Sequence, residues 1–150
     1  MYRIETIKNK RIGISVLNWG LGHVTRCVPI IHQLHAQSNE VFVFCNQEQK
    51  LIFDQYLEEI TFIKHEGYPF SFKGKGNFKG DLFRSLIRLY TFAKREQKLC
   101  NQNVERYNLD LLISDQRYGF YSDKIPSIFI THQLKFPLNG AYRIFNLVNR

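Results

Sequence analysis

The sequence has no apolar run long enough to cross a membrane, and it has few cysteines. A transmembrane helix needs about 20 consecutive apolar residues. The opening stretch, MYRIETIKNKR, lacks the apolar core of a secretory signal peptide, so a cytoplasmic chain is expected. The cysteines are odd in number, widely spaced and without a CxxC pair (Cys27, Cys45 and Cys100). This usage predicts buried, reduced thiols and not a disulfide framework.

Acidic residues are also scarce, with 13 Asp and Glu against 21 Lys and Arg, for a net charge of +8. The excess is concentrated between Lys64 and Arg106, a stretch that contains ten basic residues and four acidic ones. A local basic surface favours phosphate-bearing partners such as nucleic acid, anionic lipid headgroups or a diphosphate substrate. The length of 150 residues and the 44% hydrophobic content predict one folded domain and exclude a disordered chain.

Apolar runs alternate with helical patterns along the chain. Strands are predicted at residues 11–17, 40–45, 60–64, 109–114 and 127–131, and helices at 23–37, 47–56 and 81–107. Near-continuous apolar strands predict a parallel sheet with helices on both faces, so we expect a single Rossmann-like α/β domain. Pro29 predicts a kink in the first helix or a helix start near Thr25 as N-cap, and Asp81 is expected to cap the long helix.

The first strand is followed by the turn Trp19-Gly20-Leu21-Gly22-His23. A glycine turn into a helix leaves N–H groups at the positive end of the helix dipole, which suits a phosphate. A dinucleotide fingerprint would need glycine where Thr25 stands, and no Gly-Lys-Ser/Thr of a P-loop follows. An NAD-dependent oxidoreductase domain is therefore a weaker alternative, and a purely structural turn remains open.

Asp115 and His132 directly follow the fourth and fifth predicted strands, and His23 is the first residue of the helix predicted after the first strand. Because the carboxyl ends of parallel strands meet at one edge, we expect these side chains to converge there. A histidine oriented by a carboxylate is the arrangement of a general base. The alternatives are a structural His23 and an Asp115 that only caps a turn. Their spacing is not that of a metal site, so none is expected.

Residues 65–80, HEGYPFSFKGKGNFKG, predict a long loop in which aromatic and basic residues alternate. The members that carry this pattern are Phe70, Phe72, Lys73, Lys75, Phe78 and Lys79. Such a loop suits an anionic membrane surface or single-stranded nucleic acid. Aromatic side chains that fold back onto the domain are the structural alternative.

Together these loops resemble the N-terminal domain of GT-B glycosyltransferases. The likeness is greatest to the branch containing the bacterial enzyme that adds N-acetylglucosamine to lipid-linked muramoyl-pentapeptide. The glycine turn ending at His23, residues 114–122 (SDQRYGFYS) and residues 131–134 (THQL) resemble that branch's three loops in order and spacing. The first turn has fewer glycines than the family pattern, Arg117-Tyr118 interrupts the second loop, and the Glu and Asn of the third are absent.

The resemblance implies one half of a GT-B enzyme. This domain would bind the glycosyl acceptor, possibly lipid-linked, and no cofactor of its own. A C-terminal domain outside the sequence would bind the nucleotide-sugar, expected to be a UDP-sugar. His23 is implied as the general base, supported by Asp115 or His132. The implied acceptor or phosphate contacts are Gly20, Leu21, Gly22, Thr25, Arg117, Tyr118, Gly119, His132 and Gln133.

In the same family the region of residues 65–80 lies on the acceptor and membrane side, which implies peripheral association with the inner membrane face. The chain ends within a helical pattern, so we expect a fragment that is inactive alone, with a separate donor subunit as the alternative. The alternative function is a non-catalytic phosphate- or nucleic-acid-binding module on the same sheet. Nucleic acid is the less expected partner.

Overall fold

The computed structural model describes residues 4–68 and 78–131, with the side chains of 78–86 outside that description. Within these ranges one sheet contains five strands: β1 (Arg11–Val16), β2 (Glu40–Cys45), β3 (Thr61–Lys64), β4 (Leu111–Asp115) and β5 (Ser127–Ile130). The α-helices are α1 (Leu21–Ala36), α2 (Gln47–Phe53) and α3 (Phe78–Arg106), and a 3-10 turn at Ile4–Thr6 precedes β1. The predicted Rossmann-like α/β fold is confirmed.

The strand order is β3-β2-β1-β4-β5, and every neighbouring pair is parallel. The chain runs outward from the central β1 to β3 and then returns to place β4 on the other side of β1. This reversal creates a switch point between β1 and β4, where open α/β sheets bind their ligands. The register there aligns Val16 with Asp115, so both strands end together.

Helices cover both faces of the sheet. On one face the strands pack against α1 and α2, through Ile12, Ile14, Val16, Val43, Ile113, Val24, Ile31, Leu34 and Phe53 among others. On the other face they pack against α3, through Phe42, Phe44, Leu112, Cys100 and Val104. Because side chains alternate along a strand, β4 directs Ser114 toward the α3 face and Asp115 toward the α1 face.

Helix α1 begins at Leu21, two residues earlier than predicted, with Gly20 at the N-cap. Thr25 is therefore not the cap, and its hydroxyl donates a hydrogen bond to the carbonyl of Leu21 over 3.1 Å. Pro29 lies inside the helix and does not end it. The proline ring is on the exposed side, while the opposite side of the helix is buried in the core, and that packing outweighs one missing N–H donor.

Helix α3 begins at Phe78, three residues earlier than predicted. Phe78 and Lys79 are helical and do not belong to a loop, and Asp81 lies inside the helix instead of capping it. The prediction placed the start of the helix after Gly80. It was wrong because one glycine destabilises a helix by only about 1 kcal/mol, which the long helix α3 tolerates. Residues Phe70, Phe72, Lys73, Lys75, His132 and Gln133 lie outside the described part, and the predictions for them stay predictions. No helix of the described residues is both long and apolar enough to span a membrane.

Candidate functional site

His23 and Asp115 meet at the edge where β1 and β4 end. Asp115 is the last residue of β4 and its side chain is fully buried, while His23 lies in the first turn of α1. The Nδ1 atom of His23 is 2.9 Å from Oδ2 of Asp115. The His23 side chain is still 12% exposed, so the imidazole keeps a path to solvent. The carboxylate thus orients a ring that is partly exposed.

Arg26 completes this cluster, and it is not among the site residues predicted from the sequence. Its Nε donates to Oδ2 of Asp115 over 2.8 Å, and its Nη2 pairs with Oδ1 of the same carboxylate. The Nη2 atom is also 2.7 Å from Nδ1 of His23. A buried carboxylate needs such a charged partner. The three-residue spacing from His23 on one helix was the available signal, because residues i and i+3 share a helix face.

Cys27 lies beneath the cluster, with its Sγ 3.8 Å from Oδ2 of Asp115. Burial and, to a lesser degree, the Asp115 charge raise the pKa of the Cys27 thiol, which is therefore protonated and a poor nucleophile. Burial likewise raises the pKa of Cys45 to about 12 and raises that of Cys100. All three cysteines are free and buried, as predicted.

The glycine turn gives α1 an open start. Gly20 has a φ of 98°, a conformation that favours glycine, and as the N-cap residue it has no side chain to cap the first turn. Leu21 and Gly22 are exposed, and a Cβ added at Gly22 would meet no atom within 4 Å. The N–H groups of this turn therefore lie beside His23 at the edge predicted to hold an anion.

A second polar cluster lies on the α3 face, and the sequence reasoning found only Arg117 of it. Nε and Nη2 of Arg117 donate to Oε1 of Glu96 over 2.7 and 2.6 Å. The Nε2 atom of His65 is 2.8 Å from the same oxygen, and the Tyr68 hydroxyl donates to Oε2 over 3.3 Å. All four residues are buried. Burial acts to raise the pKa of Glu96, but His65 and Arg117 outweigh it and hold that pKa below its usual range.

This buried cluster joins the loops of the site. Nη2 of Arg117 donates to the carbonyl of Glu66 over 2.6 Å, and the amide of Tyr118 donates to the Tyr68 hydroxyl over 2.8 Å. The amide of Tyr68 in turn donates to Oδ1 of Asn18 over 2.8 Å. The segments that follow β1, β3 and β4 are therefore held together along one edge.

The predicted acceptor contacts after β4 lie in different surroundings. Arg117 is 1% exposed and paired with Glu96, so its guanidinium is part of the buried cluster and is not presented to an acceptor. Tyr118 is half-exposed and its ring packs on Phe129, with 5.4 Å between centroids. Gly119 lies against α3, where an added Cβ would come within 2.4 Å of the Ala93 carbonyl oxygen. That glycine is needed for helix packing.

Among the side chains that the structure describes, residues 4–68 and 87–131, no group of three or more His, Cys, Asp or Glu is arranged to hold a metal ion. A comparison with known protein families gives no match, and a comparison with curated proteins gives none either. Among solved structures, the chain is similar to the C-terminal domain (residues 83–215) of a hydrogenase from Pyrococcus furiosus. That similarity has a TM-score of 0.47 and 14% identity, and it covers 82% of this chain and 92% of the other.

Proposed function

We propose that this domain is the acceptor-binding half of a nucleotide-sugar-dependent glycosyltransferase, which acts with a donor-binding domain. One observation carries the proposal: the contact of 2.9 Å between Nδ1 of His23 and Oδ2 of Asp115, at the switch point of the sheet. A buried carboxylate that accepts from one ring nitrogen favours the tautomer in which the other nitrogen is the basic one. The resemblance of the surrounding loops to the GT-B acceptor domain supplies the reaction class.

The proposed reaction needs one proton acceptor in this domain. His23 removes the proton of an acceptor hydroxyl, and that oxygen forms a bond to the anomeric carbon of the sugar. The bond between the anomeric carbon and the diphosphate oxygen breaks, and the nucleoside diphosphate leaves with the electron pair. Asp115 stabilises the imidazolium that results. The first turn of α1 lies at the same edge and suits the diphosphate of a lipid-linked acceptor.

A binding experiment tests whether this domain binds the acceptor or the donor of the proposed enzyme. We would titrate the ¹⁵N-labelled chain with a short-chain prenyl-diphosphate-linked sugar as acceptor and with UDP-N-acetylglucosamine as donor. The acceptor is expected to shift the amide signals of residues 20–26 and the imidazole of His23, whereas the donor leaves them in place. Turnover of the nucleotide-sugar by this chain alone, or donor binding without acceptor binding, contradicts the assignment.

A non-catalytic phosphate-binding module is the second candidate, because the open first turn of α1 suits phosphate without any chemistry. A single-stranded oligonucleotide titrated at several salt concentrations tests its nucleic-acid form. A steep loss of affinity with salt, starting from micromolar binding, favours that candidate. Weak binding to the oligonucleotide together with acceptor binding favours the glycosyltransferase.

Membrane association belongs to the same proposal. Residues 65–80 carry the aromatic and basic pattern expected at an anionic surface. Co-flotation of the chain with vesicles of phosphatidylglycerol, and not with vesicles of phosphatidylcholine alone, is the expected result. Equal recovery with both kinds of vesicle, or recovery with neither kind, contradicts a peripheral location at the inner membrane face.

A further inference from the structure

Asp115 and Arg26, both in contact with Nδ1 of His23, require opposite protonation states of that nitrogen. Oδ2 of Asp115 is 2.9 Å away and, as a carboxylate oxygen, can only accept a hydrogen bond. Nη2 of Arg26 is 2.7 Å away and, as a guanidinium nitrogen, can only donate one. A neutral imidazole nitrogen either carries a proton or has a lone pair. It therefore satisfies one of these two neighbours at a time.

The two states differ in whether His23 can act as a base. With the proton on Nδ1, the ring donates to Asp115 and Nε2 has a lone pair that can take a proton from a hydroxyl. With Nδ1 accepting from Arg26, the proton is on Nε2, which then has no lone pair to offer. Asp115 favours the competent tautomer and Arg26 favours the incompetent one.

We propose that Arg26 is a positioning residue that sets the tautomer of His23, and that a phosphate group of the ligand releases it. Arg26 is the partner able to move, because its side chain is 33% exposed while that of Asp115 is fully buried. A phosphate oxygen accepts from a guanidinium through a strong, charge-assisted hydrogen bond. When phosphate takes Nη2, Nδ1 loses its donor and instead donates to Asp115.

The arrangement around Asp115 makes this exchange feasible. Nε of Arg26 also donates to Oδ2 over 2.8 Å, and because the guanidinium is a rigid plane, Nε moves together with Nη2 when phosphate draws the group away. The Nδ1–H of His23 then takes over as a donor to Asp115. The proton relocates from Nε2 to Nδ1 through solvent, with no net change in charge. The inference rests on the proposed function, and it assigns that function an order: phosphate binds first, and His23 becomes a base afterwards.

The tautomer can be observed directly by NMR. In the ¹⁵N-histidine-labelled chain at about pH 8.5, where an ordinary imidazole is neutral, protonated and unprotonated ring nitrogens have well-separated ¹⁵N shifts. His23→Ala identifies the His23 signals. We expect the Nε2–H tautomer in the untreated chain and a change to Nδ1–H when inorganic pyrophosphate is added, with sodium chloride of equal ionic strength as control.

Two variants distinguish the effect of Arg26 on the His23 tautomer from the effect of Asp115. Arg26→Met keeps much of the side-chain stem and removes the donor, so Nδ1–H is expected with or without pyrophosphate. Asp115→Leu keeps a similar side-chain size and removes both acceptor oxygens, and Nε2–H is expected in both conditions. His65, whose Nε2 is held by Glu96, gives the reference signal for an intact fold. If Arg26→Met does not fold, the pyrophosphate titration of the unsubstituted chain decides alone.

The role of Arg26 is overturned if the unsubstituted chain and Arg26→Met have the same tautomer in the absence of pyrophosphate, or if the unsubstituted chain does not respond to pyrophosphate. This readout involves no sugar transfer, so it fails separately from the proposed function. If pyrophosphate does not change the tautomer but sugar transfer depends on His23, only the role of Arg26 is contradicted. A tautomer change in a chain that binds no glycosyl acceptor removes only the glycosyltransferase assignment.

Discussion

Arg117 and Glu96 form an ion pair that is almost entirely shielded from water, with Nη2 of Arg117 2.6 Å from Oε1 of Glu96. The pair links the loop after β4 to the middle of α3, and the carbonyl of Glu66 adds the loop after β3. Because two charges are removed from solvent together, each depends on the other for its stabilisation. The edge that carries His23 is therefore supported by a pair of residues on the opposite face of the sheet.

Removing one member of this pair should destabilise the fold strongly. Arg117→Met leaves the Glu96 carboxylate buried without its guanidinium, and we expect the free energy of unfolding to fall by about 3–5 kcal/mol. Urea denaturation monitored by circular dichroism measures the change. Arg95→Met, at an exposed position on the same helix, is the control and should change it by less than about 0.5 kcal/mol. Equal effects of the two substitutions contradict a structural role for the pair.

The same pair predicts how stability depends on pH. The pKa of Glu96 is held below its usual range, so its ionised form stabilises the folded chain at all pH values above the unfolded pKa of about 4.3. That contribution is lost as pH falls below this value through the folded pKa. The difference in unfolding free energy between the natural chain and Glu96→Gln should shrink between about pH 5 and pH 3. Glu105→Gln, at an exposed carboxylate of the same helix, serves as control, and a difference that stays constant with pH refutes the prediction.

His23 is predicted to carry the chemical step of the proposed glycosyltransferase, assayed together with the proposed donor-binding domain. His23→Ala should lower kcat by roughly 10²–10⁴-fold, since it removes a general base. His32→Ala changes an exposed histidine of the same helix and should leave kcat unchanged. Steady-state kinetics with acceptor and nucleotide-sugar provide the test. A loss of less than about tenfold for His23→Ala would reduce this histidine to a structural role.

Two glycines of the predicted binding loops should respond oppositely to alanine. Gly119→Ala places a methyl group within 2.4 Å of the Ala93 carbonyl oxygen, and such overpacking should destabilise the fold by about 1–3 kcal/mol. Gly22→Ala meets open space in the first turn of α1, so stability should hold or rise by up to about 1 kcal/mol. Thermal unfolding of both variants measures the contrast. A destabilised Gly22→Ala with a neutral Gly119→Ala would contradict the packing described for the two loops.

The fold was predictable because its signals are local. Strands such as β2 are continuous apolar runs, and the spacing of Val24, Ile31 and Leu34 is that of a helix with one buried face. Helix boundaries were less certain, since they depend on tertiary packing. Pro29 and Gly80 both suggested a break, but each lies inside a helix.

The candidate site was predictable only in part. The placement of His23 and Asp115 follows from the rule that parallel strands end at one edge, and the structure brings their side chains into contact. Glu96 could not be found this way, because a carboxylate in a charged helix normally faces water. Its burial depends on Arg117, which lies 21 residues away, and a single sequence does not reveal such a pairing.

Because side chains alternate along β4, the number of residues in that strand determines which face of the sheet Ser114 and Asp115 point to. Asp115 serves the His23 cluster on the α1 face, while the hydroxyl of Ser114 donates to the Arg117 carbonyl over 2.6 Å on the α3 face. Inserting one residue in β4 ahead of Ser114 would move Ser114 to the position of Asp115 and would turn Asp115 to the α3 face. A hydroxyl would then lie beneath His23, and a carboxylate would lie among the aromatic rings of the opposite layer. A substitution within this strand changes one side chain, but an inserted residue would disable both clusters at once.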